Sequence, residues 1–121
     1  MTFLFSCKIR ILPLDKYNTS SYTIIVIKTF ADKATQDLFD GVNSREARKI
    51  PISIWNVAKR KLDHVNYAGN IRDLAVIQGN RLEKLSGKLA DFHSIRINDQ
   101  FRIIFKWSNG QADHVAITDY H

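Results

Sequence analysis

A chain with one cysteine cannot close a disulfide on itself, and Cys7 is the only one here. The cysteine-rich framework that holds many small secreted domains together is therefore excluded. Histidine is sparse as well. His64, His93, His114 and His121 are too scattered to suggest a zinc motif. Long apolar runs are missing: no stretch approaches the ~18 residues of a membrane span. In the apolar opening, Lys8 and Arg10 break the run before a secretory h-region could form. Together these absences read as a cytoplasmic protein with no membrane contact. No repeat and no low-complexity tract appears.

What is present is ordinary in amount and uneven in sign. The 121 residues suffice for one domain with a single modest core. An apolar fraction of 45% excludes wholesale disorder. The formal net charge is +6. That excess reads in two ways, as the footprint of a polyanionic or acidic partner or as a solvated basic surface.

Residues 1–21 fit poorly with the remainder of the chain. An apolar start is broken at Pro13 and followed by the polar run Asp15 to Ser21. This segment reads as an extension outside the domain, either an extra strand or a leader that is disordered or not native. Residues 22–121 read as one domain. Tyr22 to Phe30 carries Ile24, Ile25, Val26 and Ile27 in series, the pattern of a strand covered on both faces. Asp32 is an N-cap for a helix to about Asp40, and Gly41 is its stop. After Pro51, the residues Ile54, Ala58, Leu62 and Val65 form one apolar stripe of a second helix. Lys59, Arg60 and Lys61 sit mostly off that stripe and read as a solvated helix face. Asn70 is placed to cap a short turn through Leu74. Arg81 to Leu85 reads as a short strand, and the last thirty residues as three more. Helices followed by strands give an α+β fold with the helices on one face of an antiparallel sheet.

Period two sorts the last strands by face. Phe101, Ile103, Phe105 and Trp107 share the helix side, with Ile95, Ile97 and His93, so His93 reads as structural. Arg96, Arg102 and Lys106 share the other. A two-residue connection at Asn98-Asp99 would pair Ile95 with Arg102 and scramble the faces. Burying an unpaired arginine is costly, so an odd connection is expected, pairing Ile95 with Ile103 and Arg96 with Arg102. Ser108-Asn109-Gly110 is expected to be a three-residue loop that pairs Val115 with Ile103 and Ile117 with Phe101. Arg96 and Arg102 would then stand on an open face. Like charges there repel, which an anion would relieve. A solvated outer sheet face is the plainer alternative.

Three segments in order resemble one family. They are Asn80-Arg81-Leu82-Glu83-Lys84-Leu85-Ser86-Gly87, then Ser94-Ile95-Arg96-Ile97-Asn98-Asp99-Gln100-Phe101-Arg102-Ile103, then the terminal Asp119-Tyr120-His121. They look like the HigB (plasmid maintenance killer) branch of the RelE/ParE toxin superfamily. Val26 to Phe30 and Ala58 to Leu62 are similar too. The resemblance implies a RelE-like fold, with about four to five strands and two to three helices. That family begins with a methionine where Val26 stands here, so residues 1–25 are expected not to be made in the cell.

The resemblance also implies an activity: ribosome-dependent cleavage of translated mRNA by attack of a 2′-hydroxyl, with no metal and no cofactor. Arg102 would neutralise the phosphate. Asp119, Tyr120 and His121 match the terminal acid–base group, with His121 as acid, Asp119 as base or orienter, and Tyr120 stacking on a base or positioning the phosphate. Some members carry a catalytic histidine where this chain has Glu83, which would serve as base instead. Arg81, Lys84, Arg96 and Lys106 would contact RNA. The implied partners are a helix-turn-helix antitoxin, the ribosome with its mRNA and, with the antitoxin bound, operator DNA. A non-catalytic toxin that poisons DNA gyrase, as in the ParE branch, is the alternative. The terminal Asp119-Tyr120-His121 favours the nuclease, since a purely binding protein needs no acid–base cluster.

Overall fold

The computed structural model describes residues 5–6, 11–15, 18–24 and 27–119, with side chains from Ile27 onward. The expectation about Val26 as a start lies outside these residues, as do Tyr120 and His121. In chain order the elements are β1 (Phe5–Ser6), β2 (Ile11–Asp15), β3 (Asn18–Ile24), β4 (Thr29–Phe30), α1 (Lys33–Asp40), α2 (Trp55–Tyr67), α3 (Ile71–Ala75), β5 (Glu83–Lys84), β6 (Phe92–Arg96), β7 (Phe101–Ser108) and β8 (Gln111–Asp119). Short 3-10 turns at Ala47–Lys49 and Ile52–Ile54 lead into α2, and a third follows β5 at Gly87–Leu89. The main sheet runs β1-β4-β8-β7-β6-β5, and β2 and β3 form a separate hairpin. The expected continuous strand Tyr22–Phe30 is instead the end of β3 and the short β4.

The antiparallel sheet holds from β5 to β8, and β4 joins it in parallel, so the sheet is mixed. Parallel pairing follows from the connection. The chain leaves β4, passes through α1 and α2 on one face, and closes the sheet with β8 running the same way as β4. Lys28 N–H donates to Ala112 O and Ala31 N–H to Val115 O, each at 2.8 Å, across that seam. The N–H of Ile27 is satisfied by Asn66 Oδ1 of α2 at 2.8 Å.

The helix ends obey local chemistry. Asp32 is extended and its carboxylate accepts from Thr35 N at 2.7 Å, while Gly41 closes α1 at φ 76°. A left-handed residue is what a helix stop of this kind requires, and glycine adopts it without a Cβ clash. Asn70 and Asp73 form a reciprocal capping box on α3. Ala58, Leu62 and Val65 of α2 are buried against Ile95, Ile103, Phe105 and Val115 of the sheet, with Phe30, Leu38 and Phe39. The Thr35 hydroxyl of α1 accepts from Ile117 N at 2.9 Å and ties the helix layer to β8.

The two hairpins on β7 differ. Between β6 and β7 the expected register is found, Ile95 opposite Ile103 and Arg96 opposite Arg102, with an odd number of residues, 97–101, between the last pair. Between β7 and β8 it is not. The turn uses two residues, Asn109 at φ 53° and Gly110 at φ 75°, with Ser108 paired to Gln111. The odd residue sits in a bulge at His114, φ 53°, so that Ile103 pairs with Ile117 and Phe101 with Asp119. A tight hairpin turn with two left-handed residues matches strand twist better than a three-residue loop. The bulge then restores the core side for Val115. The N–H of His114 is met by Asp113 Oδ1 at 2.9 Å and the Thr29 hydroxyl at 3.1 Å.

Candidate active site

Arg102 is the second residue of β7, one residue away from the core residue Ile103 and therefore on the face away from the helices. It is not open to solvent there. The residue is 7% exposed, and the segment from Asn80 to Glu83, which runs beside β6, lies against its guanidinium. Burial is tolerated because the guanidinium is bonded. Its Nε donates to Ser94 Oγ at 2.9 Å and its Nη2 to Arg81 O at 2.8 Å. The expectation of an open arginine face is corrected by this cover: a buried guanidinium must find acceptors, and Arg81 and Ser94 supply them.

The covering segment is itself held. Asn80 is fully buried; its Nδ2 donates to Leu74 O at 3.1 Å, and its carbonyl accepts from Arg96 N at 2.6 Å. Arg81 follows at φ 45°, a left-handed conformation uncommon for a residue with a Cβ. This turn presents the Arg81 carbonyl to Arg102 while the Arg81 side chain stays at the surface. Glu83 pairs with Ser94 across β5 and β6. Its carboxylate stands 3.9 Å from Arg102 Nη2 and is 53% exposed. A fixed buried cation thus sits beside a reachable carboxylate.

Arg96, directly across the ladder, turns its guanidinium to Asp99 at 2.5 Å. Asp99 is 97% exposed, so this pair is weak and exchangeable. The repulsion expected between the two arginines is thereby divided, each having its own acceptors. Lys106 shares their face further along β7, its Nζ 5.4 Å from the ring centroid of its cross-strand neighbour Phe92. Lys84 does not join them. It pairs with His93 on the opposite parity and is exposed. His93 stacks on Phe105 with centroids 6.1 Å apart, and burial, then Lys84, push its imidazole below the usual range. Both fit a structural histidine.

Asp119 pairs with Phe101, off the Arg102 row, and its Oδ2 accepts from Gln100 Nε2 at 2.9 Å. Thr118 is the residue opposite Arg102. Among the described residues no cluster of three metal-ligating side chains occurs, and no helix is long and apolar enough to cross a membrane. Sequence reasoning missed Ser94, Asn80 and the Arg81 carbonyl as Arg102's frame. Ser94 could have been found, since it shares the arginine parity and lies beside Arg96.

A family model described as the RelE-like toxin of type II toxin-antitoxin system HigB matches residues 28–121. The chain belongs to this family. This HigB-type toxin is 40% identical over 83 residues to "Toxin HigB-1" of Vibrio cholerae serotype O1, covering 69% of this chain and 85% of that protein. It is 39% identical over 69 residues to an uncharacterized protein of Haemophilus influenzae, covering 57% and 68% respectively. As the toxin of a type II toxin-antitoxin system, it has a cognate antitoxin as its partner.

Proposed function

We propose that this HigB-type toxin is a ribosome-dependent endoribonuclease that cuts translated mRNA. One observation carries the reading: the buried, doubly bonded guanidinium of Arg102 beside the exposed carboxylate of Glu83. A phosphodiester docked at the edge of the covering segment, beside Glu83, would gain the fixed positive charge of Arg102 as its phosphorane develops, where preorganised charge is most effective. In the reaction the 2′-oxygen bonds to phosphorus and the bond to the 5′-oxygen breaks, leaving a cyclic phosphate and a free 5′-hydroxyl. Glu83 takes the 2′ proton. His121 gives a proton to the leaving oxygen, with Asp119 orienting it or sharing the base role, and Tyr120 stacks on a base or positions the phosphate. Arg96, Lys106, Arg81 and Lys84 meet the RNA backbone or ribosomal RNA, as the net charge of +6 favours. The antitoxin carries a helix-turn-helix domain, and the pair binds operator DNA in the cytoplasm.

The test is expression of wild type and of Arg102→Ala, Tyr120→Phe and His121→Ala variants, followed by mapping of mRNA 5′ ends. New ends inside translated frames, absent in the variants, are expected. Toxicity accompanied by gyrase-dependent DNA breaks and intact messages would overturn the reading.

A further inference from the structure

Lys61 reads as solvent-facing in the helix pattern and is 6% exposed in the structure. It lies three residues after Ala58 and four before Val65, and so falls on the buried side of α2. Its Nζ donates to Gly79 O at 3.3 Å and to Arg96 O. Among the described residues it forms no ion pair with a carboxylate. Burial, then the charges of Arg60, Arg96 and Arg102, lower its pKa. A buried ammonium held only by carbonyls, close to three arginines, works against stability. A methionine would fill the same volume at less cost.

The two carbonyls it holds explain its place. Gly79 precedes Asn80, whose carbonyl accepts from Arg96 N. Arg96 O is the other end of that same residue of β6. Arg81, two residues after Gly79, gives its carbonyl to Arg102. We infer that Lys61 is a positioning residue for Arg102, pinning the Gly79–Arg81 segment against the end of β6 so that the Arg81 carbonyl stays on the guanidinium. This rests on the proposed nuclease reading for its consequence in catalysis, but not for the contact itself. Loss of the pin would let the guanidinium drift from the phosphate site, and small misplacements of a catalytic group are costly in rate.

The experiment uses the full chain with Lys61→Met and Lys61→Arg. Three quantities are read: thermal midpoint, hydrogen exchange at Arg102 Nε–H, and kcat and KM for cleavage of a translated message. For Lys61→Met the midpoint is expected at or above wild type. Exchange at Arg102 should rise about tenfold or more, and kcat should fall about tenfold with KM little changed. Lys61→Arg, which keeps a cationic donor, should recover most of the exchange protection and of kcat. Unchanged exchange in Lys61→Met overturns the inference. So does loss of folding in that variant, because Lys61 would then serve the core and not the guanidinium. A wild-type chain that cuts no translated message sinks the nuclease reading alone, since the exchange measurement needs no ribosome.

Discussion

The two faces of β6 and β7 are built from alternate residues of the same strands, and they are closed by different forces. On the helix side Ile95, Ile103 and Phe105 are fully buried by apolar contact. On the far side Ser94 and Arg102 are nearly as buried, yet each is fixed by directional bonds. Apolar burial stabilises in proportion to area, about 1.5–3 kcal/mol for one large side chain. A buried, bonded guanidinium contributes little net stability, because its hydrogen bonds replace those to water. The first face therefore holds the fold, and the second spends its order on placing a charge.

The sharpest way to break this comparison is to truncate one residue on each face. Phe105→Ala should lose about 3–5 kcal/mol, read from urea denaturation. Arg102→Ala should lose well under half as much, and its expected effect lies in activity: about 10²–10³-fold slower cleavage. If Arg102→Ala unfolds as readily as Phe105→Ala, the division between the faces is wrong. Glu83→Gln comes next. Removing the proposed general base while keeping its shape should slow cleavage about 10²-fold, with the urea midpoint unmoved because Glu83 is half exposed. Unaltered cleavage in that variant would shift the base role to the chain end.

Much of this arrangement was legible in the sequence, and the reasons are local. Asp32 and Gly41 delimit α1 because caps are decided by a few neighbouring residues. The pairing of Arg96 with Arg102 followed from the cost of turning an arginine into the core. The β7–β8 register was legible only in its faces. Parity demands an odd residue somewhere, but it does not say whether a loop or a strand absorbs it, and here the bulge at His114 does. Arg102 was put on the correct side yet read as open, because what covers it comes from a distant loop with a left-handed Arg81. Lys61 was misread because a positive charge in a helix is usually solvated, although its spacing from Ala58 and Val65 already pointed inward.

The smallest expected effect sharpens the comparison from the core side. His93 on β6 and His64 on α2 are both held below the usual imidazole range, first by burial and then by nearby cations: Lys84 for His93, Arg60 and Lys61 for His64. The folded chain therefore binds protons at these rings less readily than the unfolded chain. Below the ordinary value of about 6.5, the unfolded state takes up protons that the folded state refuses, so stability falls as pH falls. Above that value the contribution is fully present. The carboxylates of Asp37 and Asp113 are also depressed, but their loss begins only below the ordinary carboxylate range, so the interval just under pH 6.5 belongs to the histidines. The thermal midpoint should drop by a few degrees from pH 7 to pH 5, and His93→Gln should flatten that slope. The cleavage proposed above draws on neither His93 nor His64. If His93→Gln leaves the slope of stability unchanged while altering cleavage, the imidazole belongs to the working face after all.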